Sequence, residues 1–210
     1  MKRLFFFALY ACWILTAAAF GSVKVDDLRD ADLLFVVNTK GNAITAVTEG
    51  TDSLPIDHVA VLYRDAVMQV PCVLQADYEG VRCSTLAQFC TETVPDSSFM
   101  LLVGRVNCPI DAPASLNRAF SHLGKPYDFY YLADDSEIYC SELVQISYVD
   151  TQGRLIFSTI PMTFRNASGE IPEFWQSLYR KRGIPVPEGA PGTNPGELSR
   201  RKEVTILGVL

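Results

Sequence analysis

Two runs of β-forming residues with almost nothing between them set the tightest limit on how this chain folds. Asp57-His58-Val59-Ala60-Val61-Leu62-Tyr63-Arg64 is the first, Val67 to Ala76 is the second, and only Asp65-Ala66 separates them. A connection that short joins two strands only as an antiparallel hairpin. Val67, Val70, Val73 and Leu74 favour extended backbone. Pro71 lacks an N–H for the ladder, so an edge or a bulge is expected there. With Asp65-Ala66 as the turn, Arg64 pairs with Val67 and His58 faces Val73. Gln75 is then the diagonal neighbour of His58 on the same face, and a two-residue offset at Pro71 sets it directly opposite. Either way, one sheet face carries an imidazole and an amide whose oxygen can accept from a ring N–H.

The remaining elements read as a mixture. Ala31-Asp32-Leu33-Leu34-Phe35-Val36-Val37 and Ser98 to Val106 are apolar strands, and Leu155-Ile156-Phe157 is a shorter candidate. Ser84 to Phe89 forms a short helix capped by Ser84, Pro113 to Leu123 an amphipathic one ended by Gly124, and Pro172 to Arg182 a third. This is an α+β composition, and with 49% hydrophobic residues it can bury one domain's core. From Ile184 onward, Pro185, Pro187, Gly189, Pro191, Gly192, Pro195 and Gly196 make a stretch that reads as non-helical. The expected layout is one domain over 22–184 and a Pro/Gly-rich tail over 185–210 that wraps it and closes on the apolar Val204 to Leu210. There is no internal repeat, phosphate-binding loop or dinucleotide fingerprint.

The first 21 residues stand apart. Lys2-Arg3 precedes the uncharged apolar run Leu4 to Phe20, which closes on Ala17, Ala18, Ala19 and Gly21. This is the pattern of a secretory leader cut near Ala19 or Gly21, with an uncleaved anchor as the alternative. Export to the periplasm or outside the cell is therefore expected. Without Lys2 and Arg3 the formal charge moves from −6 to −8, and the two short basic clusters, at 180–182 and 200–202, do not make a nucleic-acid surface. The mature part holds Cys72, Cys83, Cys90, Cys108 and Cys140, an odd number that implies at least one free thiol. If that thiol is Cys140, the other four can form two disulfides in three connectivities. Their spacing matches no zinc pattern.

Asp135-Ser136-Glu137-Ile138-Tyr139-Cys140-Ser141-Glu142-Leu143-Val144 carries the strongest chemical signal. Two acids and a serine, any of which can cap a helix, precede an apolar-periodic run with Leu143, Val144 and Ser147 or Tyr148 on one face, reaching about Val149. Cys140 falls in or just before the first turn. Unpaired N–H groups and the positive helix end there favour the thiolate, the nucleophile of cysteine hydrolases. The alternative is a small buried core residue. The chain has two histidines, so a base must be His58, at the mouth of a strand, or His122, near a helix end. Gln75 is either an orienting partner or an edge-strand side chain. Tyr127 and Tyr139 either line a substrate pocket or are core aromatics.

Taken in order, Ala31-Asp32-Leu33-Leu34-Phe35, Asp57-His58-Val59-Ala60-Val61, Val73-Leu74-Gln75-Ala76, Gly124-Lys125-Pro126-Tyr127-Asp128 and Tyr139-Cys140-Ser141-Glu142-Leu143-Val144 resemble the permuted papain-like amidases of the NlpC/P60 superfamily, the YiiX/YaeF-type group. Gly192-Thr193-Asn194-Pro195-Gly196 adds to the likeness. The resemblance implies a circularly permuted papain-like fold, an antiparallel sheet against helices, with Cys140 as nucleophile, His58 as general base and Gln75 as third member. Many relatives look as if they carry Glu at that third position, and a neutral amide stabilises imidazolium less than a carboxylate does. The implied activity is hydrolysis of an amide or ester through an acyl-enzyme, with no metal or organic cofactor. Cell-wall peptides, isopeptide-like amides and acyl lipids are the implied substrates, and association with the cell envelope is the implied setting. Two other readings stand beside it: a lipid acyl hydrolase or acyltransferase with an apolar groove around Phe129, Tyr130 and Tyr131, and a non-catalytic binding module on the same fold. Asn166-Ala167-Ser168 is an acceptor for N-glycosylation in a host that performs it.

Overall fold

The computed structural model describes residues 20–132 and 136–210. The expected leader, up to residue 19, and Asp135 lie outside them. No helix among the described residues is long and apolar enough to cross a membrane. Six strands form one antiparallel sheet: β1 Leu33–Asn38, β2 Ile56–Arg64, β3 Pro71–Asp77, β4 Gly80–Thr85, β5 Phe99–Val106 and β8 Val204–Val209, in the order β4-β3-β2-β1-β5-β8. A separate two-residue ladder joins β6 Ile160–Pro161 to β7 Pro191–Gly192. The helices are α1 Leu86–Thr93, α2 Ala112–Phe120, α3 Cys140–Ser147, α4 Glu173–Arg182 and α5 Pro195–Ser199.

β1 is apolar without alternation because both of its faces are covered. Leu33, Phe35 and Val37 join Val59, Val61 and Leu74 on the face that packs against Leu143, Val144 and Tyr148 of the α3 segment. Leu34 and Val36 join Ala60, Leu62 and Val73 on the other, against Leu86 and Phe89 of α1. Leu143 and Val144 are fully buried, which stabilises the helix by about 1.5–3 kcal/mol per side chain. Tyr148 donates from its hydroxyl to the Ala31 carbonyl at 3.0 Å. Asp32, at 1% exposure, takes a two-pronged contact from Arg105, Nε and Nη2 each at 2.7 Å. These bonds tie α3 and β5 to the start of β1.

The hairpin departs from its expected register. Arg64 pairs with Pro71 and Val61 with Leu74, so the loop runs over 65–70. Asp65 explains the longer loop, because its Oδ1 accepts from Val67 N at 2.9 Å and Met68 N at 2.7 Å. Those bonds hold Val67 and Met68 out in solvent as a turn, where a reading by β-propensity had put strand. The shift is four residues, an even number, so Gln75 stays on the face of His58.

Other boundaries also move. Thr85, not Ser84, caps α1, accepting from Gln88 N at 3.2 Å. Leu155–Phe157 is not a strand and makes only one bridge, Val149 to Leu155. The tail contains helix α5, because Pro195 occupies its first turn, where a missing N–H costs nothing, and Asn194 Oδ1 caps it from Glu197 N at 2.7 Å. Pro195, Gly196, Leu198 and Ser199 are buried, so this stretch is part of the core wall. The five described cysteines are all free. Cys72 and Cys83 meet at Tyr63, whereas Cys90 packs on the α1 face and Cys108 on the α3 face, which leaves that second pair on opposite sides of the sheet.

Candidate functional site

Cys140 is the first residue of α3, behind the extended N-cap Tyr139. Glu142 Oε2 accepts from Tyr139 N at 3.3 Å, so the acid of the first turn reaches back to the N-cap residue. The thiol is 2% exposed and takes backbone N–H contacts from Val59, Ser141 and its own amide. Those contacts favour the thiolate, but burial outweighs them and pushes the thiol up to about 12, and the negative charge of Asp57 adds to the rise. In the resting protein Cys140 is therefore a neutral thiol. The helix end alone predicts the opposite, because position in a helix says nothing about how much water reaches the sulfur.

The Val59 amide that contacts the thiol belongs to the residue after His58. β2 carries a bulge there: Val36 pairs with His58 but Val37 pairs with Ile56, leaving Asp57 as the extra residue. Bulges re-aim side chains beside sites. His58 Nε2 meets Gln75 Oε1 at 2.8 Å. With the amide oxygen accepting, Nε2 holds the ring proton and Nδ1 keeps the lone pair a base needs. Burial lowers the imidazole's pKa, partly offset by the Gln75 bond and the charges of Asp57 and Asp77. Both the thiol and the ring are thus uncharged at neutral pH. The ring stands 6.3 Å from Phe89, on the α1 side of the sheet with Val36 and Val73, whereas Cys140 packs on the α3 side, so the structure joins His58 to Gln75 but does not bring the ring to the cleft.

Asp57 was not singled out by the sequence. Its Oδ2 accepts from Asn38 Nδ2 and Asn42 Nδ2, each at 2.7 Å. Burial raises its carboxyl above the usual range despite those bonds. It anchors the 38–48 loop against β2. Its only sequence signal was a place beside the histidine.

The thiol opens on a cleft of about 40 Å³. One wall is Tyr131 and Tyr139, with rings 5.2 Å apart, and Trp175 stands 5.6 Å from Tyr131. Met162, Phe164 and the 193–195 stretch close the other side. Asp128 shapes this region by accepting from Tyr130 N at 2.7 Å and Leu132 N at 2.6 Å, which bends the chain so that Tyr131 takes a left-handed φ of 51°. Tyr139 lines the cleft, but its hydroxyl is engaged with Thr193 N at 3.2 Å and Met162 Sδ at 3.9 Å. Tyr127 stands behind Tyr131, sharing a hydroxyl hydrogen bond with it, and does not line the cleft. Of the three aromatics 129–131, only Tyr131 reaches the cleft. Phe129 is half exposed, and Tyr130 stacks under Arg182 at 4.3 Å. His122 sits in the turn after α2, outside the cleft.

A family model described as permuted papain-like amidase enzyme, YaeF/YiiX, C92 family, matches residues 27–208. The chain belongs to the C92 family. A C92 amidase of this kind has the α+β, permuted papain-like fold, and the matched span takes in the cleft, the His58 strand and the Cys140 helix. No curated protein matches the chain. Among solved structures it is similar to a crystal structure described as metalloprotein yiiX from Escherichia coli O157:H7, at 21% identity and a TM-score of 0.66, covering 87% of this chain and 97% of that one. Among the described residues of this C92 chain, no three His, Cys, Asp or Glu side chains gather to hold a metal ion.

Proposed function

We propose that this C92 family member is an exported cysteine hydrolase that cleaves an amide through an acyl-enzyme at Cys140. One observation carries the reading. The thiol heads a buried helix and opens on the cleft, with the Val59, Ser141 and Cys140 amides turned to its sulfur. The kinship implied by the ordered motifs, to the wider NlpC/P60 superfamily, agrees with it.

On this reading the reaction starts from two neutral groups. Once the His58 ring has turned from its place beside Phe89 toward the cleft, the sulfur attacks the carbonyl carbon as its proton passes to the imidazole, so thiolate and imidazolium arise only along the reaction path. The Ser141 and Cys140 amides, already turned to the sulfur, donate to the developing oxyanion. His58 returns the proton to the leaving nitrogen, the C–N bond breaks and a thioester remains. Water, deprotonated by the same ring, then releases the acid and the free thiol. Gln75 holds the ring without supplying a countercharge, which suits an enzyme whose ion pair is transient.

The test is to incubate the mature protein with activated esters and nitroanilides and record intact mass. An acyl adduct on the peptide containing Cys140, absent in Cys140→Ala and strongly slowed in His58→Ala, supports the hydrolase. A folded protein that forms no such adduct with any donor supports the binding module instead. Export is checked separately, by the mass and compartment of the chain expressed from its full reading frame.

A further inference from the structure

We infer, on the reading of Cys140 as nucleophile, that the acyl group this enzyme carries is uncharged and apolar and sits among Tyr131, Met162, Phe164 and Trp175. The group that stays on the sulfur after the leaving group departs must occupy the space beside the thiol, and that space is the cleft. Among the described residues, no Asp, Glu, Lys, Arg or His side chain lines it. A carboxylate on the acyl group would therefore be buried without a counter-ion, which disfavours it. The charge that the thiol does feel, from Asp57, is negative and adds repulsion.

Two buried hydroxyls supply the polar contacts instead. Among the described residues, Ser141 Oγ and Thr193 Oγ1 meet no hydrogen-bond partner, and both residues line the cleft, at 0% and 2% exposure. Unpaired buried hydroxyls are rare, and they suit an amide or ester group that can donate or accept but carries no charge. Met162 sets the depth. It packs directly against Gly192, and its flexible thioether can shift to suit what the cleft holds.

The experiment compares butyryl and succinyl donors with the same leaving group, which differ at the far end by a carboxylate in place of a methyl. kcat/KM and the Cys140 adduct are recorded for each. Butyryl is expected to be favoured by about 100-fold, since each 1.4 kcal/mol of unpaired burial is worth a factor of ten. Met162→Ala is expected to move the optimum to longer chains without improving succinyl. Succinyl acylating Cys140 as fast as butyryl would overturn the inference while leaving the hydrolase reading intact. If no donor acylates Cys140, the hydrolase reading fails and the acyl assignment with it. The charge preference of the cleft is then decided by alkylation. Iodoacetamide should outpace iodoacetate at Cys140 by at least about tenfold more than it does at a free cysteine, and an equal ratio overturns it.

Discussion

Replacing Gln75 by Glu puts a carboxylate where a neutral oxygen now meets His58 Nε2 at 2.8 Å. At that distance, and with an effective dielectric of about 20, the attraction for an imidazolium is about 6 kcal/mol. Much of it is lost to desolvating the new carboxylate in a site where burial already lifts Asp57. A rise of about 1–3 pH units in the pKa of His58 remains, each unit worth about 1.4 kcal/mol. The sign follows from charge: an anion favours the protonated ring, whereas the present environment holds it below its ordinary 6.5. NMR titration of the ring protons reads this directly. The chain has two histidines, so His122→Gln assigns the spectrum. Alkylation of Cys140 should accelerate at neutral pH in the Glu variant, because a charged ring stabilises the thiolate. A His58 pKa that stays put or falls, with the variant folded, would refute the argument that Gln75 governs the proton affinity of the ring.

Three further outcomes are expected. Arg105→Ala leaves the Asp32 carboxylate buried and unpaired and should cost about 3–5 kcal/mol in denaturant unfolding, whereas exposed Lys40→Ala, whose partner is Asp96, should leave the unfolding midpoint almost unmoved. Asp57→Ala strands the amides of Asn38 and Asn42 and should cost about 2–4 kcal/mol. It should also lower the thiol pKa of Cys140, because Asp57 now raises it, and thiol absorbance against pH follows that change. Stability should fall at alkaline pH. Above 9 the unfolded thiol loses a proton that folded Cys140 keeps up to about 12, so this one group removes about 1.4 kcal/mol per pH unit across that window. The difference between wild type and Cys140→Ala isolates it, and parallel curves would refute it.

What the sequence made legible was whatever local pattern decides. The apolar runs at 31–37 and 98–106 became strands because a strand covered on both faces needs no alternation. His58 and Gln75 met because an even register shift preserves the face, even though the turn was misplaced. That error came from a side-chain oxygen at Asp65 outcompeting the β-propensity of Val67. The helix at 195–199 was hidden because Pro and Gly were read as breakers without regard to position. The acidity of Cys140 was misjudged because helix position is local and burial is not. The cleft wall comes from segments near residues 44, 131, 162, 175 and 193, and no periodicity joins those.

Gly21 to Val23 runs beside the last strand, with Val209 N donating to Gly21 O at 2.8 Å and Val23 N to Val209 O at 2.7 Å. Gly208 permits the approach: its φ of 148° is open to glycine, and a side chain there would strike the Gly21 backbone. Two segments nearly 190 residues apart in sequence therefore share one seam. A short linker across that seam, with a fresh opening cut in the exposed 65–70 loop, should give a chain of new reading order and unchanged architecture. In such a fold the point at which synthesis starts is a detail of bookkeeping, and the sheet is indifferent to it.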